Sequence, residues 1–141
     1  MAKSYGYQMN KLRNLRPQTM PEVGDVGGRV RCFNEKITLI GQAVGDVIEA
    51  GFLPRGARLL YGVLTSDTAL GISTLAVGIS GNPAKYQAAA TLTVADIPTL
   101  FGNTQNVGEA LNGEEIVIIT VGANALPVGG VLRLQLFYTL D

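Results

Sequence analysis

The sequence has no histidine and no tryptophan, and its single cysteine is Cys32. The absence of histidine removes the commonest general base and the commonest zinc ligand. A lone cysteine excludes an internal disulfide and any metal site built from several cysteines. Without a histidine to activate it, Cys32 is expected to be a half-buried structural residue and not a nucleophile. We therefore predict no enzyme activity, no catalytic or metal-binding residue and no cofactor.

Charged residues are also scarce, at 16% of the 141 residues against an ordinary share of about 25%. Apolar residues reach 47%, and there are 18 glycines. This composition favours an all-β chain with many turns and with much surface that contacts other protein. The first 20 residues lack the apolar run of a signal peptide, and no stretch is suited to a membrane helix. We expect a soluble protein made in a reducing cytoplasm.

The charges divide the chain into two parts. Residues 1–36 have a net charge of +4 and residues 37–141 have a net charge of −4. Prolines and glycines interrupt the first part, which also carries aromatic and aliphatic side chains that disordered tails usually lack. We interpret residues 1–36 as an extended basic N-terminal arm and residues 37–141 as an acidic body. The candidate partner-binding residues of the arm are Lys3, Tyr5, Tyr7, Lys11, Leu12, Arg13, Leu15 and Arg16.

Two other interpretations of the arm stay open. It could be a solvated tail, or it could bind nucleic acid by neutralising phosphates and stacking tyrosines on bases. However, its seven basic residues are diluted by three acids. A protein partner is favoured over nucleic acid for this reason.

The body consists of short segments typical of β-strands. Alternation is clearest in residues 131–140, where leucines occupy one face. The predicted strands are 37–40, 47–52, 57–66, 74–80, 91–95, 116–121 and 131–140. Asn112-Gly113 is predicted to form a two-residue hairpin turn, and residues 96–102 are predicted to form a short helix capped by Asp96.

No helix of ten residues or more is predicted between the strands, so a parallel βαβ architecture is not expected. The fold class is all-β, an antiparallel β-sandwich, with a jelly roll as first choice and an immunoglobulin-like sandwich as second. The segment between Gly51 and Gly56 has the glycine spacing of a phosphate loop but lacks its lysine and hydroxyl, and is predicted to be a turn. Asp96, Glu109, Glu114 and Glu115 lack the alternating spacing of calcium ligands and are predicted to be solvated.

Two segments, GDVIEAGFLPRGARLLYGVLTS (45–66) and TLAVGISGNPAKYQAAATL (74–92), resemble small virion proteins of tailed bacteriophages. The body as a whole is similar to the jelly-roll capsid cement, or decoration, proteins of short-tailed double-stranded DNA bacteriophages. The resemblance implies a non-enzymatic protein on the capsid exterior that clamps neighbouring major capsid proteins against the pressure of packaged DNA. It further implies a homodimer on the capsid. From the residues themselves we predict no direct contact to nucleic acid or membrane.

Two other functions remain possible at this point. The chain could be another virion component, such as a tail, fibre or head-completion protein. It could also be a carbohydrate-binding jelly-roll module, although its loops carry glycine, alanine, proline and asparagine where a lectin usually presents aromatic platforms.

Overall fold

The structure is a computed structural model that describes residues 2–4, 9, 11, 20 and 26–140. Between residues 26 and 140 the chain forms eight strands and no helix. The strands are β1 (Val30–Ile40), β2 (Val47–Leu53), β3 (Arg58–Ser66), β4 (Thr74–Ile79), β5 (Asn82–Thr91), β6 (Thr99–Phe101), β7 (Glu115–Gly122) and β8 (Val128–Thr139).

The strands form two four-stranded sheets that pack face to face. One sheet has the order β1-β8-β3-β6 and the other has the order β2-β7-β4-β5, and every neighbouring pair is antiparallel. Strand β1 lies beside β8, β2 beside β7, β3 beside β6 and β4 beside β5, as in a long hairpin wrapped into a sandwich. This is a jelly roll, which confirms the predicted fold class.

Alternating residues of both sheets form the core between them. Leu132, Leu134 and Leu136 of β8 are fully buried, as the alternation in this strand predicts. The facing sheet contributes further buried side chains, namely Leu75, Val77, Val117, Ile119 and Val121. In β7 the alternate residues Val117, Ile119 and Val121 enter this core, and Ile118 is buried on the other face of the strand.

Two predicted elements are wrong in the region between β4 and β7. Residues 91–95 were expected to be a strand, but β5 ends at Thr91, and the chain then continues as a loop. The alanines and Pro83 of β5 do not alternate in polarity, which hid this strand. The helix predicted for residues 96–102 is replaced by the short strand β6, and Asp96 has a φ of 60°, which is incompatible with a helix cap.

The hairpin turn predicted at Asn112-Gly113 is also wrong. Neither residue has a positive φ, and the strands on the two sides of the turn do not pair with each other. Ala110 pairs with Arg58, whereas β7 begins at Glu115 and pairs with β2. The chain crosses from one sheet to the other here. The predicted turn after β2 is confirmed, with the Ala57 amide donating to the Pro54 carbonyl at 3.1 Å.

Strand β1 begins earlier than predicted, at Val30 and not at residue 37. Its first seven residues, VRCFNEK, mix charged and apolar side chains, so their strand character was missed, yet they pair regularly with β8 from Val30 opposite Thr139. Cys32 lies in this stretch and is exposed, so its predicted half-burial is wrong. The division into an arm of residues 1–36 and a body of residues 37–141 stays a prediction.

Candidate interaction surfaces

Four loops meet at one end of the sandwich. They follow β1, β3, β5 and β7, and they comprise residues 41–46, 67–73, 92–98 and 123–127. We call these four loops the loop platform. In a jelly roll the odd-numbered strands all end at the same end of the sandwich, so topology alone brings these loops together.

Hydrogen bonds join the loops of the platform to one another. The Leu126 amide donates to the Gln42 carbonyl at 2.9 Å, and the Leu70 amide donates to the Leu92 carbonyl at 3.0 Å. The buried Ser73 hydroxyl donates to the Ala125 carbonyl at 2.9 Å. These bonds make the platform one continuous, preorganised surface.

Exposed aliphatic side chains are concentrated on this platform and on the strand residues beside it. Each of the four loops or its border contributes at least one, and Val128 is 83% exposed. The set consists of Ile40, Val44, Val47, Ile72, Val94, Ile97 and Val128. Aliphatic side chains exposed on every loop at one end of a domain are the composition expected of a protein-binding surface.

The loops of the platform carry negative charges, and Lys36 and Arg133 of the adjoining strands lie beside two of them. Its loops contain Asp46, Asp67 and Asp96 and no lysine or arginine. The Asp46 carboxylate accepts from the Ala43 amide at 2.8 Å, and that of Asp67 accepts from the Val131 amide at 2.8 Å. Two hydrogen bonds hold the pKa of Asp67 below its ordinary value: the bond from the Val131 amide has the larger effect and the bond from the Thr68 side chain the smaller. Two of the three carboxylates are thus used to fix the loops.

The opposite end of the sandwich holds a small polar cluster. Lys85 and the Tyr86 hydroxyl both donate to the Glu115 carboxylate, beside a cleft of about 390 Å³. Burial, together with the hydrogen bond to Glu115, raises the pKa of Tyr86 well above its ordinary value. The Asn106 amide group donates to the Lys85 carbonyl at 2.9 Å. The cluster ties β5 to β7 beyond the end of β4, a structural role that the expectation of a solvated Glu115 missed.

Most predicted partner-binding residues of the arm lie outside the described residues. These are Tyr5, Tyr7, Leu12, Arg13, Leu15 and Arg16. Of the remaining two, Lys3 is exposed and Lys11 is half-buried. Their role in binding a partner stays a prediction.

Within the described ranges, no three histidine, cysteine, aspartate or glutamate side chains are grouped as metal ligands would be. The same part of the chain contains no helix long and apolar enough to cross a membrane.

No protein-family model and no curated protein matches the sequence. Solved structures do match. A chain of the capsid asymmetric unit of cyanophage Pam1 has a TM-score of 0.67 and 22% identity, over 100% of this chain and 92% of that one. A chain of the capsid of Ralstonia phage GP4 has a TM-score of 0.66 and 27% identity, over 87% of this chain and 92% of that one.

A third match is to the acid-stable capsid of Helicobacter pylori bacteriophage KHP30, with a TM-score of 0.61 and 15% identity, over 79% of this chain and 87% of that one. The chain is structurally related to phage capsid components. Each neighbour is covered almost completely, so the matched capsid component is in each case a small chain similar in length to this one.

The loop platform was not predicted from the sequence. Its aliphatic residues are scattered between residues 40 and 128, and no local pattern connects them. A partial signal was present, because Val44, Ile72, Val94 and Ile97 all lie in loops. The same loops also contain Leu70, Leu92 and Leu126, which are buried in the core, so loop position alone does not identify the exposed residues. These residues can be recognised as one surface only when the strand order is known, because the strand order places their loops at the same end of the sandwich.

Proposed function

We propose that this protein is a non-enzymatic structural component of a bacteriophage virion that binds the outer capsid surface and cements neighbouring major capsid proteins. The similarity to components of three phage capsids supports a virion structural role. The small size of those matched chains supports an accessory position on the shell, since an accessory protein needs only one domain.

The observation that carries the proposal is the exposed aliphatic surface of the loop platform. Burying a fully exposed valine or isoleucine side chain contributes about 1.5–3 kcal/mol. Seven partly exposed side chains on one end therefore supply a large driving force for docking on another protein. The hydrogen bonds between the loops, such as that from Leu126 to Gln42, are formed before binding, which lowers the entropy cost of ordering the surface.

The platform also indicates the chemistry of the surface that it binds. Its loops carry three aspartates and no basic residue, while Lys36 and Arg133 of the adjoining strands line a cleft with Asp67 and Asp96. The complementary capsid surface is therefore an apolar patch with charges of both signs at its rim. Charged residues at the rim select the partner and speed association, whereas the aliphatic centre supplies affinity.

The polar cluster at the opposite end is consistent with a structural role. Glu115 is held by Lys85 and Tyr86, and its hydrogen bonds join strands without presenting an activated nucleophile. We assign no reaction to it.

The proposal is tested with capsid shells assembled without this protein. Ile72→Asp and Val128→Asp place a charge on the platform, and each should weaken binding to the shells at least tenfold. Ile116→Asp is the matched control, because Ile116 is an exposed aliphatic residue near the other end of the sandwich. Thermal melting should show that all three variants fold.

Shells loaded with the parent protein should withstand heating or osmotic shock better than bare shells, and shells mixed with Val128→Asp should not. Equal shell binding by the parent and both platform variants would refute the platform as the docking surface. Failure of the parent to bind any shell, together with binding to isolated tails, would instead favour another virion component.

A further inference from the structure

The four sheet edges of the sandwich differ in how well they are protected against pairing with another strand. Strand β6 is only three residues long, β2 has an irregularity between Glu49 and Gly51, and β5 carries Pro83 and two irregularities. All three features discourage strand addition. Strand β1 lacks them over most of its length, because it pairs regularly with β8 from Val30 to Thr38.

Side chains cap only one half of the free edge of β1. The Gln42 side chain donates to the Thr38 carbonyl at 3.1 Å and accepts from the Ile40 amide at 3.2 Å. Further along, the Lys36 amide donates to the Glu35 carboxylate at 2.9 Å. These bonds show that the backbone groups of even-numbered residues face the free edge. The corresponding groups of Val30, Cys32 and Asn34 have no such cap among the described residues.

The charges on this open half are arranged symmetrically. Arg31 and Glu35 lie two residues to either side of Phe33, and all three alternate onto the same face of the sheet. When a strand pairs antiparallel with a copy of itself about a twofold axis, the axis must pass through one residue position. An axis at Phe33 places each arginine directly opposite the glutamate of the other strand.

Neighbouring registers lack this complementarity. An axis at Cys32 places Arg31 opposite Phe33, and an axis at Asn34 places Glu35 opposite Phe33. An axis at Glu35 places two glutamates opposite each other, which is unfavourable. The charge pattern therefore selects one register from those that symmetry allows.

We infer that β1 pairs antiparallel with β1 of a second copy of this chain, about a twofold axis at Phe33. The two four-stranded sheets then form one sheet of eight strands. Cys32 lies opposite Asn34 of the second copy, and the Glu35 carboxylate leaves the Lys36 amide to meet Arg31 of the second copy. The Lys36 amide is thereby free to donate to the Val30 carbonyl of the second copy.

This arrangement gives the dimer one loop platform at each of its two far ends, because antiparallel pairing points the two copies in opposite directions. That consequence rests on the proposed function, since two platforms allow one dimer to bind two capsid subunits. A bivalent dimer binds more tightly than either copy alone when both platforms reach their sites. The symmetry of the dimer would then explain how it holds two neighbouring capsid subunits together.

A charge-swap experiment tests the pairing in solution, in the absence of any shell. The full chain and its Arg31→Glu, Glu35→Arg and doubly swapped variants are compared by sedimentation equilibrium. Each single change turns two attractions into two repulsions, so each should weaken dimerisation at least tenfold. The double variant restores the opposite charges and should dimerise within about threefold of the parent. A monomeric parent at every concentration, or single variants that dimerise like the parent, would overturn the inference.

Disulfide trapping tests the register. Under oxidising conditions Asn34→Cys should form a cross-linked dimer with the native Cys32, because opposite positions in a sheet are close enough for a disulfide. Thr38→Cys is the matched control on the same strand and face, and it should not cross-link. Efficient cross-linking of the parent through Cys32 alone would move the axis to Cys32 and refute the register.

Shell binding separates this inference from the proposed function. A monomeric Arg31→Glu variant should still bind shells through its single platform, with lower affinity than the parent. Val128→Asp should dimerise normally but bind shells at least tenfold more weakly than the parent. A parent that is monomeric in solution, combined with loss of shell binding in Arg31→Glu, would mean that the edge takes a strand of a shell protein and not a second copy.

Discussion

The ring of Phe101 lies against the backbone of Gly62 and fills the space that a side chain at position 62 would need. The two residues face each other across the pairing of β3 with β6. Phe101 is almost completely buried in this position. This contact therefore helps to hold the three-residue strand β6 in place, in addition to its few backbone hydrogen bonds.

Gly62→Ala should destabilise the protein by about 1–3 kcal/mol, because its methyl group overlaps the ring and forces Phe101 out of place. Urea unfolding measures the change. Gly81→Ala is the control, since Gly81 has open space around it and no positive φ. In a Phe101→Leu background the cost of Gly62→Ala should fall. An equal cost in both backgrounds would contradict the proposed overlap.

Leu134 and Leu136 should be highly sensitive positions of β8. Both are fully buried between the sheets, so replacing either with alanine leaves a cavity and should cost about 2–5 kcal/mol. Arg133→Ala, an exposed position on the same strand, should change stability by less than about 0.5 kcal/mol. A cost below about 0.5 kcal/mol for either leucine would show that the core face has been assigned incorrectly.

The jelly roll could be predicted because its central strands carry their own signal. The leucines of β8 alternate strictly, and the absence of long helical periods excluded the competing architectures. The edge strands gave no such signal. Strand β5, with Pro83 and a run of alanines, and the polar start of β1 are stabilised by pairing with a neighbour, which a local pattern does not show.

Interaction surfaces were harder to predict than the fold. The platform depends on loops that are brought together by strand order, and the β1 edge depends on which strand ends a sheet. Both are properties of the topology. The arm residues could be proposed because charge and aromatic content are properties of a local stretch of sequence. A local property does not identify the partner that these residues bind.

Two glycines show where a turn does and does not require a positive φ. Gly56 has a φ of 84° in the turn between β2 and β3, whereas Gly113 has an ordinary φ and open space around it. Gly56→Ala should cost about 1–2 kcal/mol, because a residue with a Cβ is strained at this φ. Gly113→Ala should be nearly neutral. Thermal or urea unfolding of the two variants checks this difference. A larger cost for Gly113→Ala than for Gly56→Ala would contradict the assignment of the strained backbone to Gly56.

The carboxylate of Asp67 should make stability depend on pH at the acid end of the range. Its pKa in the folded protein is lower than the ordinary value of 3.8, mainly because the Val131 amide donates to it. A lowered pKa means that Asp67 stabilises the fold above pH 3.8, and that this contribution is lost as the pH falls through the folded pKa.

Asp67→Asn removes the charge with little change in shape. The parent should melt at a higher temperature than this variant between pH 5 and 7, and the difference should shrink below pH 3.8. Asp46→Asn is a second platform variant against which to compare the size of the effect. A difference between parent and Asp67→Asn that is constant down to pH 2 would contradict the contribution of the charge.

Deletion of residues 1–16 should reduce binding to shells that lack this protein. The segment has four basic residues and no acidic one, and it carries the apolar side chains of Tyr5, Tyr7, Leu12 and Leu15. Residues 26–29 enter β1 at the end of the sandwich opposite the loop platform, so this deletion and the platform variants test different contacts.

The salt dependence of that loss identifies the force involved. Fixing sixteen residues on a partner costs roughly 16–32 kcal/mol of backbone entropy, at 1–2 kcal/mol per residue. Exposed ion pairs return only about 0–1 kcal/mol each, so apolar burial and backbone hydrogen bonds must supply most of the binding energy. We therefore expect the deletion to weaken binding at both low and high salt. A companion variant with Lys3, Lys11, Arg13 and Arg16 replaced by glutamine should lose less affinity than the deletion. A loss of binding seen only at low salt would mean that the arm acts by charge alone, and would favour the nucleic-acid alternative. Unchanged binding at every salt concentration would show that the arm is a passive tail.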